Sequence, residues 1–162
     1  MIKNLLSGRN LNGWQLRSVL TSTSEFENAV ETLKTTPYAS SEYTIISGVR
    51  KGIILSRNPD GVAYEQILGK SNFDEPRSYI IMTNFDFFFH DIREFFDPTG
   101  GGGFGRPTRR IAAQKILNSS KAITPSVLFD TISAKYVIAD TVFQAVISVE
   151  KKLFNASQPT LT

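Results

Sequence analysis

Residues 43–56 of the chain read YTIISGVRKGIILS, two apolar runs on either side of a short polar turn. Both runs are rich in β-branched and aromatic residues, which favour strands. The spacing predicts an antiparallel hairpin, with one strand over 43–47 and the next over 52–56. The sequence NPDG at 58–61 favours a second turn, because proline presets one backbone angle and glycine accepts a positive φ. Further strands are predicted over 62–68 and 78–83, and their short connections indicate an antiparallel sheet.

Helices are predicted both before and after these strands in the sequence. Residues 24–27, SEFE, match a capping box, and apolar residues then recur at helical spacing as far as Leu33. Another helix is predicted over 14–20. Two more begin near Thr108 and at Thr124, where a hydroxyl cap precedes a proline. With a last strand predicted over 141–149, the pattern indicates an α+β fold.

The composition excludes several classes of site. The 162 residues include no cysteine and one histidine, His90, so they can form no disulfide, thiolate metal site or cysteine nucleophile. Multi-histidine metal sites and Ser-His-Asp triads are disfavoured, and no metal or cofactor is expected. The net charge of +3 comes without a basic run, so a nucleic-acid partner is not expected. No signal peptide or membrane-length apolar segment is recognised in the sequence.

Three polar residues near the predicted fourth strand are candidates for chemistry. Asn84 follows that strand in the sequence TNFD, where its amide can donate to a developing oxyanion or close an Asx turn. Arg109 and Arg110 open a predicted helix. Because adjacent helical side chains diverge, at most one of the two arginines is expected to serve a site, and a solvated helix start is the alternative.

Two other conspicuous segments have ordinary explanations. The glycine-rich stretch 97–107 lacks the Lys-Ser/Thr pair of a phosphate-binding loop, and it is predicted to be a flexible surface loop. His90 stands beside Asp91 without a companion nucleophile, so a histidine satisfied by a neighbouring partner is favoured over a catalytic one.

Taken in order, these segments form a series that resembles a known family. The series comprises the helix at 26–33, YTIISG at 43–48, GIILSRN at 52–58, YIIMTNFD at 79–86, and Arg109-Arg110 followed by Leu117-Asn118. Over roughly residues 14–154 it is similar to the C-terminal half of the acid ceramidase and N-acylethanolamine-hydrolysing acid amidase family of N-terminal-nucleophile hydrolases. That family has a strand giving ITRN, then TNYD, then DRRT opening a helix that ends near a Leu-Asn sequon.

The resemblance implies a fold and an activity. The fold is a four-layer αββα sandwich of two antiparallel sheets between helices, of which residues 1–162 form a single partial domain. The activity is hydrolysis of the amide bond of an N-acyl lipid, a ceramide or an N-acylethanolamine, to a fatty acid and an amine. Asn84 matches the asparagine of TNYD, which helps to hold the oxyanion. Arg109 matches the first arginine of DRRT, a cleft residue that binds substrate or orders the site.

The chain also departs from the family. The family's cysteine, freed at a new N-terminus by self-cleavage, lies upstream of these residues, and Met1 and Ile2 cannot replace it. The chain alone is therefore expected to be inactive, and its expected partner is an upstream segment or second chain that carries the N-terminal cysteine. DRRT has become PTRRI after a longer connection, which makes Arg106 the alternative to Arg109. The alternative function is a non-catalytic lipid- or protein-binding module on the same scaffold.

Six of the twelve phenylalanines lie within residues 85–96. They are interpreted either as core and inter-sheet packing or as a lipid-facing wall that makes a peripheral membrane contact. In the second case Phe87, Phe88 and Phe89 contact the acyl chain of the substrate.

Two N-glycosylation sequons begin at Asn118 and Asn155. Asn118 falls where the family has a sequon. The resemblance therefore implies a glycosylated protein that is lysosomal or secreted, its signal peptide lying upstream of this chain.

Overall fold

The structure, a computed structural model, describes residues 2–70, 78–86, 88, 109–133 and 144–157. The chain divides into two compact units, Met1–Ile80 and Ile81–Thr162, named the N-terminal unit and the C-terminal unit below. The described ranges hold five helices together with one three-stranded and one two-stranded antiparallel sheet. The α+β class is therefore confirmed.

The N-terminal unit places three helices before its sheet. The elements are α1 (Ile2–Leu6), α2 (Asn12–Ser22), α3 (Phe26–Thr35), β1 (Glu42–Gly48), β2 (Lys51–Asn58) and β3 (Gly61–Ile67). The helices predicted over 14–20 and from residue 26 are confirmed as α2 and α3. Helix α1 was not predicted, because five residues are too few to show a helical period.

The sheet of this unit is the predicted meander, with the order β1-β2-β3. The register pairs Ile45 with Ile54 and Ser47 with Gly52. Arg50 adopts a left-handed φ of 55° in the β1–β2 turn. Central strand β2 is buried over residues 52–57, since both neighbouring strands and the helices cover it.

The core of the N-terminal unit forms where α2 and α3 meet the sheet. Its buried members are Val19, Leu33, Tyr38, Ile53 and Leu55. The apolar stripe predicted for α3 faces this cluster, because Phe26, Ala29 and Val30 pack against it beside the buried Leu33. A Cβ atom on Gly48 would lie 2.9 Å from the Phe26 ring, so glycine at the end of β1 admits this aromatic side chain.

The predicted capping box at 24–27 is wrong. Helix α3 starts at Phe26 with Glu25 as its N-cap, and no side chain caps it. The carboxylate of Glu27 instead forms an ion pair with Lys51, whose ammonium lies 5.6 Å from the centre of the Phe26 ring. The hydrogen bond from Lys51 lowers the pKa of Glu27. The Glu27 carboxylate, which a capping box would use to accept a hydrogen bond from the N-cap amide, is therefore paired with Lys51 on β2.

The C-terminal unit combines two helices with a hairpin. They are α4 (Arg109–Ser119), α5 (Pro125–Ile132), β4 (Gln144–Ser148) and β5 (Leu153–Ser157). The predicted hydroxyl cap is present, because Thr124 Oγ1 accepts a hydrogen bond from the Val127 amide. The last predicted strand is confirmed over its described part as β4. Its partner β5 was not predicted.

The strand predicted over 78–83 is wrong, since residues 78–86 form bends and irregular chain without a strand partner in the described ranges. The glycine-rich stretch 97–107 lies outside the described residues. No helix among those described is long and apolar enough to cross a membrane. The four-layer arrangement stays a prediction.

Candidate functional site

The TNFD segment and the start of α4 come together in the C-terminal unit. Arg109 Nη1 lies 3.4 Å from Asn84 Oδ1, although the two residues are 25 positions apart in the chain. The structure therefore brings together the two residues that the sequence selected as the oxyanion donor and the cleft arginine. Their catalytic roles stay predictions.

Arg110 holds the same segment through several acceptors. Its guanidinium donates to Phe85 O at 2.6 Å, Thr83 Oγ1 at 3.1 Å, Asp86 O at 3.2 Å and Ile81 O at 3.5 Å. A guanidinium carries five N–H donors in a planar fork, so one side chain can serve acceptors along a whole turn of chain. Among the carbonyls, only Ile81 O lies within the predicted strand 78–83, whereas Phe85 O and Asp86 O lie just after it.

Both arginines of the pair contact the segment, although at most one is expected to serve a site, and that expectation stays a prediction. Both side chains reach the 81–86 segment, since that segment passes across the beginning of α4 as an irregular chain. Sequence reasoning does not identify Arg110 as a positioning residue. The pair is recognisable in the sequence, but the contacts of Arg110 join residues 24 to 29 positions apart, which no local pattern predicts.

The contact with Arg109 fixes the orientation of the Asn84 side-chain amide. A guanidinium has donors only, so the Asn84 atom facing it must be the carbonyl oxygen. The Nδ2 group is then directed to the other side of an exposed side chain. Within the described part of the chain, Nδ2 donates to no other residue, and no Asx turn forms at Asn84.

This arrangement suits the stabilisation of negative charge. An exposed amide N–H whose oxygen is already held can donate to a carbonyl oxygen as that oxygen becomes negative. The guanidinium that holds the oxygen also places a positive charge near the amide. The pair offers neither a nucleophile nor a general base.

The remaining predicted site residues are placed as follows. Phe88 is half-buried, while Phe87, Phe89, Arg106 and His90 lie outside the described residues. The packing and lipid-facing interpretations of the phenylalanine cluster therefore both stay predictions.

Both sequon asparagines are exposed. Asn118 lies near the end of α4, and Asn155 lies on β5 opposite Val146. The hydroxyl of Ser120, the third residue of the first sequon, donates to Ile116 O at 2.8 Å. The second sequon is in an exposed strand.

We expect Arg110→Met to loosen the 81–86 segment and to destabilise the C-terminal unit by about 2 kcal/mol, since several partly buried acceptors lose their donor. Hydrogen exchange at residues 81–86 should speed up at least tenfold. Arg110→Lys should give partial protection, because one ammonium cannot reach all four acceptors. Lys115→Met, an exposed change on the same helix, should leave exchange unchanged. Equal protection in Arg110→Met and the wild type would show that Arg110 does not hold the segment.

The described ranges contain no group of three His, Asp or Glu side chains placed to hold a metal ion.

The comparisons with known proteins give no family assignment. No protein-family model matches the chain, and a search among curated proteins finds no match.

Proposed function

We propose that the chain supplies the oxyanion-holding part of a lipid amidase whose cysteine nucleophile comes from polypeptide outside these 162 residues. The complete enzyme hydrolyses the amide bond of a ceramide or an N-acylethanolamine and releases a fatty acid and an amine. The observation that carries the proposal is the contact between Asn84 and Arg109. Those are the residues selected by the resemblance, and the order of motifs in the sequence adds support.

The chemistry assigns distinct tasks to this chain and to its partner. The partner's cysteine sulfur attacks the amide carbonyl carbon, and the partner's free α-amino group takes the thiol proton. As the carbonyl oxygen gains negative charge, Asn84 Nδ2 donates a hydrogen bond to it. The carbon–nitrogen bond then breaks, the amine leaves with a proton, and water hydrolyses the acyl-cysteine to the fatty acid.

Arg109 acts in this scheme through Asn84. By donating to Oδ1, it keeps Nδ2 directed toward the substrate and polarises the amide, which strengthens the Nδ2 donor. Its positive charge also favours the oxyanion electrostatically. The protein thereby orients the donor before the charge develops, which is the condition for a large effect on rate.

The proposed scaffold is the four-layer αββα sandwich. The described ranges contain antiparallel sheets and amphipathic helices, which are the kinds of layer that such a fold stacks. The proposed location is lysosomal or secreted, with glycans on the exposed Asn118 and Asn155. Both side chains are exposed, as a glycosylating enzyme requires of its acceptor asparagine.

The absence of cysteine in this chain makes a decisive experiment available. The chain is captured from its own cells with its bound polypeptides, and hydrolysis of a fluorogenic N-acyl amide is measured at acidic pH before and after iodoacetamide treatment. We expect turnover that alkylation abolishes. Because this chain has no cysteine to alkylate, such a loss assigns the nucleophile to another polypeptide.

An acyl-amide probe that reacts covalently gives the matched control. It should label a cysteine on the partner polypeptide and leave the present chain unlabelled. Turnover that survives alkylation would overturn the cysteine mechanism, as would turnover by the purified chain alone. A complex that binds N-acyl lipid without hydrolysing it would favour the non-catalytic lipid-binding module.

A further inference from the structure

The first two helices expose apolar side chains that the core does not use. Ile2 and Leu6 on α1 are 73% and 84% exposed, and Trp14 and Leu20 on α2 are 65% and 81% exposed. These four residues, with Lys3 and Arg17, are named the α1–α2 face. On each of the two helices these large apolar side chains lie away from the core, which is unusual for a surface that contacts only water.

The other side of each helix and the connection between them are anchored, so the exposure does not come from loose ends. Asn4 Nδ2 on α1 donates to Ala39 O at 3.1 Å, and Arg9, in the connection between α1 and α2, forms an ion pair with Asp60 at 2.7 Å. Gln15 and Val19, one helical turn apart, are buried on the inner side of α2. The α1–α2 face is therefore the outer side of elements that are fixed to the N-terminal unit.

Apolar and basic side chains alternate around the outer side of α2. Trp14 and Leu20 stand three positions before and after Arg17, and each therefore lies about 60° from it around the helix axis. This places a tryptophan, an arginine and a leucine on one arc. On α1, Lys3 lies between the exposed Ile2 and Leu6 in sequence.

The charge of this region is one-sided. Residues 1–24 contain Lys3, Arg9 and Arg17 and no aspartate or glutamate, whereas Lys plus Arg equals Asp plus Glu in the rest of the chain. The whole net charge of +3 therefore arises from the segment that carries the α1–α2 face. Basic residues among apolar ones fit an anionic surface with an apolar layer beneath it.

We propose that the α1–α2 face docks on an anionic lipid membrane, with Trp14, Leu6 and Leu20 inserted at the interface and Lys3 and Arg17 beside lipid phosphates. Tryptophan favours this depth, since its ring is apolar and its N–H stays near water. Two cations would give a nucleic acid only a small electrostatic footprint, and the exposed leucines would gain nothing from phosphate. This inference stands apart from the proposed amidase activity.

Trp14 is the sole tryptophan and serves as the reporter. The full chain is mixed with vesicles of phosphatidylcholine, with and without phosphatidylserine, and both co-sedimentation and tryptophan emission are measured. We expect binding to the phosphatidylserine vesicles, a blue shift of the emission, and weaker binding in high salt. Absence of binding or of a blue shift would overturn the proposal.

Two double variants separate the apolar and basic contributions. Leu6→Ser with Leu20→Ser should weaken vesicle binding about tenfold or more, since two exposed leucines no longer enter the interface. Lys3→Gln with Arg17→Gln should weaken binding to phosphatidylserine vesicles by about fivefold per charge and change binding to neutral vesicles little. Circular dichroism verifies that each variant is folded.

Ile147→Ser with Phe154→Ser is the matched control, because these residues are 64% and 68% exposed on the β4–β5 hairpin. It should leave binding unchanged. The proposal fails if this control, or Phe87, Phe88 and Phe89 changed to serine, abolishes binding while the Leu6/Leu20 variant does not. It also fails if the Leu6/Leu20 change dissociates a dimer in solution that binds no vesicles, or if an oligonucleotide binds to the same face more tightly than phosphatidylserine does.

Discussion

Replacing Arg57 with methionine is expected to lower the free energy of unfolding of the N-terminal unit by about 3 kcal/mol. Arg57 lies on β2 and is 1% exposed, so its guanidinium is enclosed by protein. It donates to Leu33 O and, at 2.7 Å, to Thr36 O. Both carbonyls belong to the last turn and C-cap of α3, where a helix leaves its carbonyls without internal partners.

The aromatic ring of Tyr38 completes this environment. The Arg57 guanidinium carbon lies 3.9 Å from the ring centre, so the cation stacks on an electron-rich face. Burial raises the pKa of the Tyr38 hydroxyl, and the positive charge of Arg57 opposes that rise. A methionine would fill much of the volume but would leave two helix-end carbonyls without a donor.

Urea unfolding measures this effect. Trp14 fluorescence reports on the N-terminal unit, since the only tryptophan lies there, and far-ultraviolet circular dichroism provides a second probe. Arg57→Lys should retain part of the stability, because an ammonium keeps the charge but cannot serve both carbonyls and stack on Tyr38. Arg17→Met, at an exposed helical position, should change stability by less than about 0.5 kcal/mol. A loss in Arg57→Met no larger than in Arg17→Met would contradict the assigned role.

The elements that sequence predicts well are those whose pattern coincides with their packing. The β1–β2 hairpin is recognisable because its apolar runs are short and separated by a turn. Helix α3 is recognisable because its stripe ends at Leu33, which is 3% exposed in the core. In both cases the local preference and the tertiary environment favour the same conformation.

The errors arise where a distant side chain decides the local structure. The apolar run ending at residue 83 has the composition of a strand, but its end is contacted by the Arg110 guanidinium, through Thr83 Oγ1 and Phe85 O, and it pairs with no described strand. Lys51 likewise takes the carboxylate that the capping box at Glu27 requires. Strand β5 is not predicted because its residues after Leu153 are all exposed, so the segment lacks a clear alternation of apolar and polar residues. Only its pairing with β4 defines it as a strand.

At the candidate site, too, the sequence predicts some features and only the structure shows others. Asn84 and Arg109 were selected from the order of motifs in the sequence, and their contact at 3.4 Å is a structural observation that no periodicity predicts. The predicted substrate-binding role of Phe87 to Phe89 depends on composition and on the acyl substrates that the resemblance implies, and Phe88, the one of the three that is described, is half-buried. A half-buried ring is compatible with packing and with a lipid-facing wall alike.

Asn84→Ala in the complex with the cysteine-bearing polypeptide is expected to lower kcat by about 10²–10³-fold, the usual effect of removing one oxyanion donor. Asn84 is exposed, so the change leaves packing intact and KM nearly unchanged. Asn84→Asp should be at least as damaging. Its carboxylate still pairs with Arg109, but it replaces the Nδ2 donor with an oxygen that repels the developing oxyanion.

The measurement is steady-state hydrolysis of an N-acyl amide, with trapping of the acyl-cysteine to separate acylation from deacylation. Both steps pass through an oxyanion, so both rates should fall together in Asn84→Ala. Asn28→Ala, an exposed asparagine on α3, is the matched control and should retain full activity. The kcat of Arg109→Met should lie between those of Asn84→Ala and Asn28→Ala, because Asn84 keeps its Nδ2 donor but loses the contact that orients it. If Asn84→Ala retains more than about a third of wild-type kcat while Arg109→Met is strongly impaired, the oxyanion is held by the guanidinium and Asn84 is only its neighbour.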